Sequence, residues 1–175
     1  MSESPAVESG NDAALEPVEP EVAYGCPAVV DRGQQILFAP LESYLETMRA
    51  LLDDGYAMCV DLTAVDYLEF AGRRLPAGIQ AGRFEIVVNL LDITNRRRIR
   101  VRVQVPGTET QVPSLFDLFP GTEAMEREVF DMFGIAFTDH PDLTRILMPE
   151  DWVGHPLRKD YEVGSIPVQF KGAPS

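Results

Sequence analysis

Two cysteines, two histidines and one tryptophan in 175 residues leave little material for cofactor chemistry. Cys26 and Cys59 cannot by themselves supply a zinc cage or the ligands of an iron–sulfur cluster, and they form no disulfide framework, so a reducing compartment is expected. No glycine-rich dinucleotide loop follows a strand pattern, no phosphate-binding loop ends in Lys-Ser or Lys-Thr, and no paired-cysteine motif occurs. No stretch approaches the roughly 20 apolar residues that cross a bilayer. The opening MSESPAVESG has neither the basic start nor the apolar run of a secretory signal, so the chain is expected at a membrane only by holding something that is in one. Basic residues are also scarce. Fifteen Lys and Arg face 28 Asp and Glu, and the formal net charge of −13 disfavours nonspecific binding to nucleic acid or anionic lipid.

The length and the 45% hydrophobic content suit one self-sufficient domain. Charge is segregated along it: residues 1–31 carry seven acids and no base, residues 32–102 nine acids and ten bases, and residues 103–175 twelve acids and five bases. Residues 1–30, rich in Glu, Pro, Ser and Ala, read as an acidic disordered tail. Residues 31–134 read as an α+β domain, a small mixed sheet with helices packed on one side. Residues 135–175 read as an extended, proline-containing arm.

Within the domain, Leu41, Tyr44, Leu45, Met48, Leu51 and Leu52 recur at helical spacing from Pro40 to about Asp53, with Gly55 placed to end the helix. Tyr56, Met58, Val60 and Leu62 alternate as a first strand. Phe84, Ile86, Val88 and Leu90 define a second strand, and Ile99, Val101, Val103 and Val105 a third; the DITN turn joins these two into a hairpin. Thr122 is expected to cap a helix whose stripe is Met125, Val129, Met132 and Phe133 and whose stop is Gly134. After Gly134, prolines and glycines exclude a long regular element, yet the segment holds Trp152, both histidines and several aliphatics. Two readings are open there, an arm laid over a partner or a segment wrapping its own domain.

Three constellations could carry chemistry. His140 and His155, with Asp139, Asp142 or Asp151, could form a two-histidine, one-carboxylate metal site of a hydrolase; each is equally a shaped His-Pro turn. Glu126, Glu128 and Asp131 could act as an acid–base cluster, or as a polar helix face clamping a basic loop. Arg96, Arg98, Arg100 and Arg102 form a strand stripe beside Arg97, Arg73 and Arg74. It could contact RNA phosphates, serve as a salt-bridged solvent face, or meet an acidic protein surface; no aromatic alternates with it to stack bases. Cys59 reads as a small hydrophobe, and Cys26 falls in the tail.

The string EREVFDMFGIAFTDHPDLTRILMPEDWVGHPLRKDY, residues 126–161, resembles the signature region of the 30-kDa subunit family, the C subunits of respiratory complex I, the proton-pumping NADH:quinone oxidoreductase. PSLFDLFPGTEAM and the helix-plus-hairpin order extend the resemblance over roughly residues 35–170. Ala124, Asp139 and Thr144 depart from it, standing where the family often has Trp, Gly and a basic residue. The resemblance implies a noncatalytic, stand-alone subunit of the hydrophilic arm, peripheral on the cytoplasmic side of the cell membrane. It implies a clamp on the 49-kDa-type D subunit and contacts with other hydrophilic-arm subunits, with no nucleic acid. FMN, iron–sulfur clusters, NADH and quinone belong to partners, and no cofactor, metal or catalytic residue to this chain. The signature positions it carries over as partner-binding are Glu126, Arg127, Glu128, Asp131, Gly134, His140, Pro141, Asp142, Leu143, Arg145, Asp151, Trp152, Pro156, Leu157, Arg158, Lys159, Asp160 and Tyr161. Related membrane-bound hydrogenases and dehydrogenases with other electron donors contain a similar subunit, which leaves the donor open.

Overall fold

The computed structural model describes residues 21–70, 72–108 and 110–162. A helix and three strands expected from periodicity occupy one half of a six-stranded sheet. The elements are β1 Glu21–Ala23, β2 Cys26–Asp31, β3 Gln34–Ala39, α1 Tyr44–Asp53, β4 Met58–Asp66, β5 Phe84–Asp92 and β6 Arg97–Val105. There follow β7 Gln111–Pro113, α2 Glu123–Phe133 and β8 Ala136–Thr138. The large sheet has the order β1-β2-β3-β6-β5-β4; β3 and β6 run parallel and the other neighbours antiparallel, while β7 and β8 form a separate parallel pair. The architecture is a mixed α+β fold with a small sheet and two packed helices.

The hairpin between β5 and β6 is set by Asp92, whose carboxylate accepts from the Asn95 amide N–H at 3.0 Å and its side-chain nitrogen at 2.8 Å. Those bonds, the Asn95 N–H foremost, hold the Asp92 carboxyl down at about 2. From Phe84 to Leu90 and from Ile99 to Val105, alternate side chains are fully buried, as a sheet with helices on one face requires. Tyr44, Met48 and Leu51 of α1 close over them with no residual exposure.

Four details differ from the sequence reading, each for a physical reason. The sheet begins at Glu21, inside the segment read as tail, so Cys26 is buried in β2 with its Sγ 3.2 Å from Thr47 Oγ1. The strand β3 shows no alternation because Ile36, Leu37, Phe38 and Ala39 are buried on both faces of a parallel pairing, with the Arg102 guanidinium 4.9 Å over the Phe38 ring. A bulge between Cys59 and Asp61 breaks the period of β4, leaving Met58 and Val60 exposed while Leu62 and Ala64 turn inward. Thr122 makes no side-chain cap on α2; its Oγ1 donates to the Phe119 carbonyl at 3.0 Å instead.

Within α1, Leu45 falls on the core stripe by spacing but is 37% exposed, whereas Met48 is 0% exposed. Met48→Ala is expected to cost about 3 kcal/mol by cavity formation. Leu45→Ala should cost roughly a third of that, by urea denaturation followed by circular dichroism. Equal costs would place the helix in a different rotation on the sheet.

Candidate interface: the strap over helix α2

An α-helix leaves its last four carbonyls without intrahelical donors and gathers partial negative charge there. Here the chain that follows α2 turns back to meet that need. His155 Nδ1 lies 3.0 Å from the Asp131 carbonyl, the Leu157 N–H donates to Met132 at 3.0 Å, and the Arg158 guanidinium donates to Phe133 and Gly134. Gly134 permits this approach: its φ is 70°, and a Cβ there would sit 2.5 Å from His155 Nε2.

Asp131 anchors the middle of the strap. Its carboxylate is fully buried and pairs with Arg145, while one oxygen accepts the N–H groups of Ile146, Leu147 and Met148 at 3.1, 2.8 and 2.8 Å. Three successive amides around one anion make a backbone nest. Burial pushes the Asp131 carboxyl up, but these three amides and Arg145 outweigh it and hold it below the usual carboxylate range. Arg145 also donates to the Gly154 carbonyl at 3.0 Å, closing the loop.

Two further attachments fix the strap at its ends. Arg127 donates to the Thr144 carbonyl and hydroxyl at 3.1 and 2.9 Å, and His140 Nε2 lies 3.1 Å from the Glu123 carbonyl. At the far end the Lys159 N–H donates to Asp66 at 2.9 Å, and Arg83 bridges Asp66 and Asp160 at 2.8 and 2.7 Å. Asp139 occupies the left-handed region at φ 63°, a backbone shape that Asp tolerates in turns.

The acid–base cluster does not assemble. Glu126 is buried beside Ser114 Oγ at 2.6 Å and the Leu115 N–H at 2.7 Å, Asp131 is committed to the nest, and Glu128 is exposed. Burial raises the Glu126 carboxyl against the pull of those two donors. The histidines do not converge either. They meet α2 carbonyls eight residues apart, about 12 Å along the axis, and among the described residues no group of His, Cys, Asp and Glu could hold a metal. Half of the arginine stripe, Arg100 and Arg102, is committed within the sheet face. Arg102 forms a bidentate pair with buried Glu85, which Arg73 also reaches, and Arg100 bonds Asn89. Arg96 leaves the strand altogether for the turn, at φ 54°. Burial pushes the Cys59 thiol up to about 11, consistent with an inert side chain.

Of the signature residues, Glu126, Arg127, Asp131, Gly134, His140, Arg145, Arg158, Lys159 and Asp160 are thus bound into the chain's own framework, and Leu143 packs on the core. Pro141, Asp142 and Asp151 are exposed, Pro156 and Tyr161 half-buried, and Trp152 half-buried with a covered Nε1 that has no partner among the described residues. Beside its exposed acids the strap also turns large aliphatic side chains outward: Leu147 is 60%, Val153 87% and Leu157 49% exposed. Sequence reading missed Val153, Asp66, Arg83 and Ser114, because none lies in a pattern that marks its distant partner.

Fold and strap define the class: an α+β domain carrying a long irregular segment tied to the end of its own helix. Residues 38–166 match the family described as respiratory-chain NADH dehydrogenase, 30 Kd subunit, and the chain belongs to that family. It is 44% identical over 147 residues to the C subunit of the NADH-quinone oxidoreductase of Saccharopolyspora erythraea, covering 82% of this chain and 55% of the relative. Against the corresponding C subunit of Mycolicibacterium gilvum it is 40% identical over 167 residues, covering 94% of this chain and 67% of the relative. The chain therefore spans between about half and two thirds of the length of these relatives. Among solved structures, a trypsin-resistant fragment of Nqo5 superposes with a TM-score of 0.61 at 31% identity, covering 68% of this chain and 90% of the fragment. A chain of an archaeal membrane-bound sulfane sulfur reductase shares the fold, with a TM-score of 0.61 at 21% identity, over 79% of this chain and 78% of that one.

Two outcomes test the strap. Asp131 has its carboxyl held below the ordinary value, so the stability it supplies is complete above about pH 4 and is lost as pH falls through the folded value. Asp131→Asn should cost about 3 kcal/mol at pH 7 and flatten the acid limb of Tm against pH, while the exposed Asp142→Asn should change neither. Glu126 has the opposite sign: its raised carboxyl favours the fold most at low pH, and that contribution falls as pH rises through the folded value. Glu126→Gln should therefore reduce the loss of Tm between about pH 4 and pH 8. An unchanged profile would mean that the Glu126 carboxyl titrates alike in the folded and unfolded chain.

Proposed function

We propose that this chain is a noncatalytic structural subunit of the hydrophilic arm of a proton-translocating NADH:quinone oxidoreductase, peripheral on the cytoplasmic side of the cell membrane. Its strap clamps the 49-kDa-type D subunit, in contact with neighbouring hydrophilic-arm subunits. FMN, iron–sulfur clusters, NADH and quinone belong to those partners, and electron transfer depends on how rigidly the subunits are held. The observation that carries this reading is the family match over residues 38–166, which contains the whole strap. No helix among the described residues is long and apolar enough to cross a membrane, in keeping with attachment through other subunits.

The geometry supports a clamp for an energetic reason. An irregular segment that ordered only on binding would lose conformational freedom at that moment, at a cost of about 1–2 kcal/mol per residue. The nest on Asp131, the capped carbonyls of α2 and the Asp66 anchor order it beforehand, so exposed Leu147, Val153 and Leu157 are offered on a prepared frame.

The test is gentle purification of the tagged chain from its native membrane. NADH-dependent quinone reduction should copurify with it; activity with another donor alone would assign the chain to a related complex. Leu147→Asp with Val153→Asp should lower recovery of the D-type subunit roughly tenfold while the isolated chain keeps its Tm. Undiminished recovery would place the interface elsewhere.

A further inference from the structure

At one end of the large sheet the turn from β2 to β3 lies beside the turn from β5 to β6. The parallel register pairs Gln35 with Ile99 and so brings Arg32 and Gln34 alongside Arg96 and Arg98. Arg32, Gln34, Gln35, Arg96, Arg97 and Arg98 line one cleft of about 440 Å³, and no carboxylate lines it. Arg97 is neutralised from behind, by Asp54 and Asp92 at 2.8 Å each. Arg32, Arg96 and Arg98 pair with no carboxylate among the described residues. Arg32 and Arg96 are held at φ 50° and 54°, so both turns present their arginines from fixed backbone shapes. On a chain of net charge −13, three such uncompensated cations in one concavity are a local exception.

We propose that this cleft seats the chain's own acidic N-terminal segment, residues 1–20. Direction, reach and charge carry the assignment. β1 runs antiparallel to β2 with Glu21 opposite Ala28 and Ala23 opposite Cys26, so the chain before Glu21 enters from the side of Val29, Val30 and Asp31, the side of Arg32. Arg32 lies four residues beyond Ala28, about 13 Å along a strand, a distance that four or five extended residues span. The segment has five carboxylates, Glu3, Glu8, Asp12, Glu16 and Glu19, and no Lys or Arg. Being tethered, it reaches the cleft at a millimolar effective concentration, which an exposed charge interaction needs in order to persist. The family match begins at residue 38, so the segment and Arg32 both fall outside it, and this inference is independent of the proposed clamp.

The test uses the full chain and a variant neutralised only in the segment: Glu3→Gln, Glu8→Gln, Asp12→Asn, Glu16→Gln and Glu19→Gln. Backbone amide spectra are recorded for both at low salt and at about 0.5 M salt, where screening acts within a few ångströms. The Gly33–Gln35 and Arg96–Arg98 amides should differ between the two chains at low salt and coincide at high salt. Inorganic sulfate, titrated as a probe anion, should bind the cleft about fivefold more weakly in the natural chain, because the segment competes. A second variant, Arg32→Glu with Arg98→Glu, should abolish both differences while its other amides stay in place. Identical cleft amides in the natural and neutralised chains, with equal sulfate affinity, would overturn the proposal and leave a cleft open to anions from outside.

Discussion

A single buried carboxylate organises the second half of this molecule. Asp131 sits in the last turn of α2, where the helix needs donors at its carbonyls and repels further negative charge. Placing a carboxylate there works only because Arg145 and three consecutive amides surround it. Each element of the arrangement requires another. Without the returning strap, Asp131 would be a buried unpaired charge; without Asp131, the amides of Ile146 to Met148 would lose their shared acceptor. His155 and Arg158 then complete the helix end that this turn brings within reach.

The sheet handles its polar residues in the same way. On the face away from the helices, Glu85 is 1% exposed and would be costly alone, but Arg73, Arg102 and Gln104 all donate to it. Arg102 in turn covers Phe38, so one charge network seals an apolar strand that has no helix above it. At the sheet end beside the strap, Asp66 serves Arg83, the Leu68 N–H and the Lys159 N–H together, tying residues 93 apart in sequence. Arginine–carboxylate sets thus substitute for a second layer of helices, which is absent among the described residues.

Family membership gives this economy a context. On the proposed function, a subunit of a larger oxidoreductase needs a surface whose geometry does not drift. On that reading, the buried ion sets supply rigidity on the inside of the strap, and the exposed aliphatic side chains would supply contact area on the outside. Buried titratable groups here are explained by architecture, including Glu126, which is held by Ser114 and the Leu115 amide at the opposite end of α2 from His155.

The sequence by itself determined the elements whose faces differ. Alternation marked β5 and β6, the 3.6-residue stripe marked α1 and α2, and Gly134 marked the end of α2, because burial of one face leaves a local periodic trace. The run from Glu126 to Tyr161 also carried the family resemblance. Only the tertiary structure decided that β3 lies between β2 and β6, that Cys26 is a core residue, and that Arg96 leaves the stripe at a turn. It alone separated the two histidines and the three acids that one segment had placed close together. The reason is one of range: a residue's face is written in its neighbours a few positions away, whereas the partner of a buried charge is chosen by how the chain closes over many tens of residues.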